Sequence, residues 1–151
     1  MTQASQGAVP APDYAAPLIG WRVWCVVETS GGLRLASVIR DQLWPVEIET
    51  VARCDEPHAA PELHCRCGIH AATTPATVRS YLRGRDEPAT VTRVLGRVSL
   101  WGQVVEHEQG WRASHAYPLA LFVGDAEIAR ELRVYGAVMS SYSFFASTSA
   151  A

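Results

Sequence analysis

The feature that most constrains this chain is a cluster of metal-type side chains in one short, proline-stiffened stretch. Cys54, His58, Cys65 and Cys67 fall within fourteen residues, with the spacing C-x3-H-x6-C-x-C. Three of the four cysteines and three of the five histidines lie between residues 54 and 70. Zinc prefers four sulfur or nitrogen ligands in a tetrahedron with Zn–S near ~2.3 Å, which sets two thiolate sulfurs ~3.8 Å apart. Residues i and i+2 on a flat strand lie ~6.5–7 Å apart. Cys65-Arg66-Cys67 therefore has to bend, and Gly68 supplies the freedom to turn there. Pro57 and Pro61 stiffen the intervening loop and lower the entropy lost when its ends are clipped together.

Three thiolates and one imidazole leave no position for water, so a zinc site of this composition is structural and adds to folding free energy. His64 directly precedes Cys65 and His70 lies three residues beyond Cys67, and either competes with His58 for the fourth position. His58 is preferred because adjacent residues rarely ligate one metal without strain, and because the chain leaves as a helix from Thr73. The alternatives are an iron–sulfur cluster and a metal-free loop of reduced cysteines.

Around this cluster the sequence reads as one β-rich domain. A chain of 151 residues with 48% apolar and 19% charged residues is long enough to bury a core. That composition excludes wholesale disorder, collagen-like repetition and a disulfide-dense scaffold. No uncharged apolar run approaches the ~20 residues of a membrane span. A formal charge of -2 argues against a protein that coats nucleic acid. All thirteen basic residues are Arg, which matches the codon bias of a GC-rich genome. Residues 1–16 lack the basic start and apolar stretch of a secretory signal and read as a disordered lead-in. Residues 17–137 form the domain, and 138–151 read as a flexible Ser/Ala-rich tail interrupted by Tyr142, Phe144 and Phe145. Without an export signal the expected compartment is the cytoplasm, whose reducing poise disfavours disulfides.

Gly20–Glu28 and Leu33–Val38 are rich in β-branched, aromatic and apolar residues, and Ser30-Gly31-Gly32 between them predicts a hairpin. Val46–Val51 alternates as a half-buried strand does. Val91–Trp101 is a further strand, with Gly96 a bulge or bend. Val104–Glu108 and Trp111–Ala116 flank a turn at Gln109-Gly110, and Leu119–Val123 closes the set. A first helix is expected from an N-cap at Thr74 and Pro75 to Gly84, with Val78, Tyr81 and Leu82 on its apolar face. A second opens at Asp125 and stops at Gly136. The expected fold is α+β, mostly β: a small antiparallel β-barrel with two short helices and a zinc-stapled loop.

The motifs Gly20-Trp21-Arg22-Val23-Trp24, Cys54…His58-Ala59-Ala60-Pro61…Cys65-Arg66-Cys67-Gly68-Ile69-His70-Ala71 and Gly96 to Trp111, with Arg112-Ala113 and Ala116-Tyr117-Pro118, carry a likeness. In them the chain resembles a family of small uncharacterised actinobacterial proteins over roughly residues 18–137. His70 and Trp111 stand where that family carries Tyr. The resemblance thus implies that His70 is dispensable as a ligand; it implies a unit and a site, and no activity.

Elsewhere the chemistry is thinner. Glu106-His107-Glu108 does not converge on a strand, where Glu106 and Glu108 share a face and His107 opposes them. No G-x-S-x-G, P-loop or G-x-G-x-x-G is present. Five Trp anchor a core, and Trp21 and Trp24 fall on opposite strand faces, so one of them is the best choice for a ligand surface. Arg79 and Arg83, four apart on the first helix, with Arg85, Arg93 and Arg97 beyond, suggest an anion patch. Trp with Arg is also how single-stranded nucleic acid is held.

The leading expectation is a cytoplasmic, non-enzymatic binding or adaptor module with a structural zinc at Cys54, His58, Cys65 and Cys67. Its ligand-binding candidates are Trp21, Trp24, Arg79 and Arg83, and its partner is a protein or small molecule. The alternatives are an enzyme with an open zinc site made by the three cysteines alone, with Glu62 or His64 as general base, and a barrel that binds single-stranded nucleic acid.

Overall fold

Long β-branched and aromatic runs give this chain two unusually long strands, and the rest of the fold is arranged around them. The computed structural model describes residues 8–10, 16–39, 42–83 and 89–140. Its strands are β1 (Val9–Pro10), β2 (Leu18–Thr29), β3 (Gly32–Ser37), β4 (Thr50–Val51), β5 (Ile69–Ala72), β6 (Thr90–His107), β7 (Gly110–Val123) and β8 (Ala137–Ser140). The helices are α1 (Pro75–Val78), continued as a 3-10 turn over Arg79–Leu82, and α2 (Ala126–Leu132), continued over Arg133–Tyr135. All eight strands belong to one sheet, with order β1-β6-β2-β5-β7-β4, β3 on β2 and β8 on β7. Pairing of β6 with β7 closes β6, β2, β5 and β7 into a four-strand ring. Every pairing is antiparallel except β7 with β8. The protein is thus mostly β with two short helices.

Strand alternation sorts the apolar residues into two clusters. Trp24 and Val26 of β2 join Val94, Val98, Leu121 and Trp44 in the main core. Trp24 meets Trp44 edge-on, with ring centroids 5.3 Å apart and planes at 89°. Val23 and Leu95 face the other way and pack with Trp21, Phe122, Val78 and Leu82. The second helix is capped at its start and tied to the core at its end. Asp125 Oδ1 accepts from the N–H groups of Glu127 and Ile128, at 2.9 and 3.0 Å. Tyr135 Oη donates to the Trp44 carbonyl at 2.7 Å and accepts from the Leu35 N–H at 2.9 Å.

Several expectations need correction. Val46–Val51 contributes only Thr50–Val51 as strand. Glu47 takes a left-handed φ of 66°, with its N–H donated to Tyr117 Oη at 3.0 Å, and this breaks the extended run. Val91–Trp101 and Val104–Glu108 are one strand carrying irregularities between Arg97 and Val98 and between Trp101 and Val104. Trp111–Ala116 and Leu119–Val123 likewise merge in β7. Gly96 is regularly paired, to Arg22 and Leu121. Its value is close approach: a Cβ there would lie 2.4 Å from the Ala120 carbonyl oxygen and 2.9 Å from Trp24 Cζ3. The Gln109-Gly110 turn shifts by one residue, since His107 pairs with Gly110 across Glu108-Gln109.

The domain edges also move. Val9–Pro10, within the expected lead-in, pairs with Val105 and Glu106, and Val138–Ser140, within the expected tail, extends β8 along β7. Gly84, Arg85, residues 1–7 and 11–15 of the lead-in and residues 141–151 of the tail lie outside the described residues.

Gly96→Ala is expected to lower stability by about 1–3 kcal/mol, because the new methyl group meets backbone that cannot swing away. Thermal unfolding followed by circular dichroism checks this, and an unchanged melting point contradicts it.

Candidate metal centre

The stretch between β4 and β5 is a structured loop held to the outer face of the ring. It leaves β4 along β7, where the Ala52 N–H donates to the Ser114 carbonyl at 2.8 Å. A first turn brings the Glu56 N–H to Cys54 Sγ at 3.5 Å and the His58 N–H to the Glu56 carbonyl at 2.8 Å. After a cis Ala60–Pro61 bond, a second turn donates the Cys65 N–H to the Glu62 carbonyl at 3.1 Å. Glu62 Oε2 also accepts the His64 N–H, at 2.9 Å. The bend needed at Cys65-Arg66-Cys67 is completed by Gly68, with φ 118°. There a Cβ would sit 3.0 Å from both Arg112 Cβ and Pro61 Cβ.

These turns bring four ligand atoms together. Cys54 Sγ lies 3.7 Å from Cys65 Sγ, and Cys67 Sγ lies 3.4 Å from His58 Nε2. All four atoms fall within 4.8 Å of one another. A tetrahedral zinc site has S···S edges of ~3.8 Å and S···N edges of ~3.6 Å, given Zn–S of ~2.3 and Zn–N of ~2.0–2.1 Å. The two contacts match these two edge types. The cluster is close enough to hold a metal ion, and its three sulfurs and imidazole suit zinc. All four cysteines are free thiols. Cys67 is buried while Cys54, His58 and Cys65 are half-buried.

The competing histidines stay outside the cluster. His64 is exposed, and His70, on β5, directs Nε2 to the Arg66 carbonyl at 2.8 Å. Its ring stands 6.2 Å from that of His107. Burial pushes the His107 imidazole pKa below its ordinary value.

One residue of the site was quoted in the sequence motifs but not assigned to the metal loop. Arg112 of β7 is only 3% exposed, and its guanidinium reaches across the sheet face into the loop. Nη1 donates to the carbonyls of Cys67 at 2.8 Å and Glu62 at 3.0 Å, and Nη2 to that of Leu63 at 3.3 Å. Its planar fork joins the second turn of the loop and the bend at Cys67 to β7 in a single side chain. The available signal was a lone arginine at an alternating position between Trp111 and Ala113. The sequence holds no sign of which segment covers that face.

The ligand-binding candidates separate. Trp24 is fully enclosed in the core and presents no surface, so it is withdrawn as a contact residue. Trp21 is half-buried on the outer face, stacked on Phe122 at 5.9 Å, with the Arg97 guanidinium 5.5 Å from its ring centre. Arg79 and Arg83 are both exposed, but α1 tightens to a 3-10 turn at Arg79 and Arg83 is already extended. Residues four apart do not align on a three-residue turn, so the two do not form the expected row. Arg93 Nη1 is committed to the Tyr81 carbonyl at 2.7 Å. Glu106 receives the Trp111 indole N–H at 3.4 Å, and Ser114 Oγ lies 2.7 Å from His115 Nδ1. Among the described residues no helix is long and apolar enough to cross a membrane.

The thiols of the cluster differ in acidity. The backbone N–H of Cys67 stabilises the Cys65 thiolate and brings its pKa down to about 7. Burial pushes the Cys67 thiol up to about 11. Alkylation of metal-free protein at a pH just above 7 should therefore modify Cys65 well before Cys67, as peptide mapping by mass spectrometry will show. The reverse order contradicts the assignment. Comparison with family profiles, curated proteins and solved structures finds no match for the chain.

Proposed function

We propose that the protein is a non-enzymatic binding or adaptor module of the reducing cytoplasm, whose loop between β4 and β5 is stapled by one structural zinc ion. The observation that carries this reading is the convergence of three sulfurs and one imidazole nitrogen within 4.8 Å, at edge lengths suited to a tetrahedron. With all four positions filled by protein, such a centre has no vacancy for water, and its contribution is to folding. Three thiolates and a neutral imidazole give the zinc complex one net negative charge. Arg112 is the buried cation bonded to the same loop, and it opposes that charge.

Elemental analysis of purified protein should find one zinc per chain, and chelation should raise the number of titratable thiols by three. If free zinc exceeds its dissociation constant a thousandfold, binding adds about 4 kcal/mol. Chelation should then lower the melting temperature by roughly 10–20 °C. His58→Ala is expected to release the metal and destabilise the domain. Retention of metal with an exchangeable water ligand would instead favour an open, catalytic site. Protein that binds no zinc, or that keeps it when Cys54, Cys65 and Cys67 are replaced, overturns the proposal.

Arg112→Met tests the support of the loop separately. Loss of the guanidinium should weaken zinc binding about tenfold or more, measured by competition with a coloured chelator. An unaltered affinity shows that the loop holds its shape without the arginine.

A further inference from the structure

Beside the loop lies an open strand edge above a cleft. Ala52 donates its N–H to Ser114, so with Thr50 opposite Ala116 and Val51 opposite His115 the antiparallel pattern turns the Val51 N–H and C=O away from β7. Among the described residues, that outward carbonyl meets a long bond from Gln42 Nε2, at 3.4 Å. The Gln42 amide stands where the N–H of a further strand belongs, at a distance a backbone partner would improve on. A cleft of ≈780 Å³ runs along this edge, lined by Gln42, Leu43, Pro45, Glu49 and Val51 among others. Ligand sites span about 300–1,000 Å³.

Apolar side chains stand in solvent around the cleft: Leu43 is 54% exposed, Ile48 60% and Val51 45%. An apolar group beside an unpaired strand edge is a template for strand addition. The rim is acidic. Glu49 of the lining is exposed, as is Glu47 two residues before it in the chain, while Arg53 and Asp55 of the lining offset one another in sign. Glu47 is held with φ 66° by its bond to Tyr117 Oη, a conformation that an L residue keeps only when its surroundings enforce it. An acidic rim repels a second copy of the same face and attracts a basic chain.

We propose that the β4 edge and its cleft bind a basic, extended peptide segment, which adds as a strand along Val51 with apolar side chains in the cleft and Lys or Arg against Glu47 and Glu49. This rests on the binding-module reading above and supplies its partner class.

The test uses full-length, metal-loaded protein and two fluorescein-labelled peptides, KVKVKV and EVEVEV, with binding followed by fluorescence anisotropy. The basic peptide should bind at least tenfold more tightly than the acidic one, and its affinity should fall as salt is raised. Val51→Pro removes the outward N–H while taking no hydrogen bond from the pairing with β7, and should reduce binding at least tenfold. Glu49→Lys, a surface change that leaves the fold intact, should do the same and narrow the preference for the basic peptide. Equal binding of both peptides, binding of neither, or binding unchanged in Glu49→Lys overturns the proposal. Sedimentation showing self-association that Ile48→Lys abolishes assigns the face to a second copy and overturns it as well. Metal content is measured on the same samples. Zinc-loaded protein that ignores the basic peptide refutes the peptide site alone, whereas protein without zinc refutes the stapled loop alone.

Discussion

The arrangement of the loop depends on one buried cation. Arg112 stands on the outer face of β7, and its guanidinium gives hydrogen bonds to the carbonyls of Glu62 and Leu63 in the second turn of the loop and of Cys67 just after it. Hydrogen bonds to a charged group are worth about 1.5–3 kcal/mol each, and three of them offset the desolvation of the arginine. The shape of the loop follows. Glu62 and Leu63 are fixed in the second turn and Cys67 at the bend after it, so Cys65 is carried between two anchored points. Gly68 then turns the chain into β5, where Ile69 pairs with Ala113, beside Arg112 itself. The loop is therefore tied to the sheet through covalent continuity, backbone pairing and one side chain, all within a few residues.

The same sheet has an inner and an outer chemistry. Arg22 shows how the inner side treats a charge: its guanidinium lies 5.0 Å from the Trp44 ring centre and donates to the His70 carbonyl and Ser37 Oγ. Burial lowers its pKa to about 10, still far above neutrality, so the residue stays a cation. Arg22 and Arg112 thus tie β5 and its approach from opposite faces, one through the His70 carbonyl and the other through the loop. Both use carbonyl groups as partners, which lets the sheet accommodate positive charge where no acid among the described residues is buried.

The site was more legible in the sequence than the fold, for a physical reason. Ligand identity is local: the spacing of Cys54, His58, Cys65 and Cys67, the prolines and Gly68 sit in one window, and the structure brings those four residues together. His58 stands apart from His64 and His70 because adjacency and a following strand turn those two elsewhere. Helix ends were readable from Asp125 and Gly136, whose cap chemistry depends only on neighbours. Pairing was not readable. Four residues, Ile69–Ala72, form β5 and complete the ring, yet they look like the tail of a loop, since their strand character comes from β7 and β2. Merging of the predicted segments into β6 and β7 had the same origin, as irregularities within a long hairpin resemble ends. Glu47 reversed a strand reading because a hydroxyl 70 residues away receives its N–H. Arg112 escaped for the complementary reason, since its meaning lies entirely in what covers it.

The position of β2 has a consequence for synthesis. This strand leaves the ribosome before β6, finds β3 across a two-residue turn, and then waits for its other neighbours. Its register on β6 joins Trp24 to Val94 and Leu18 to Leu100, about seventy to eighty residues downstream. Until β6 emerges, one flank of a strand carrying Trp24, Cys25 and Val26 has no partner, and such flanks invite pairing with other nascent chains. Closure of so non-local a ring is slow compared with the local hairpins. During that interval the newborn polypeptide presents the kind of unpaired apolar edge that chaperones shield.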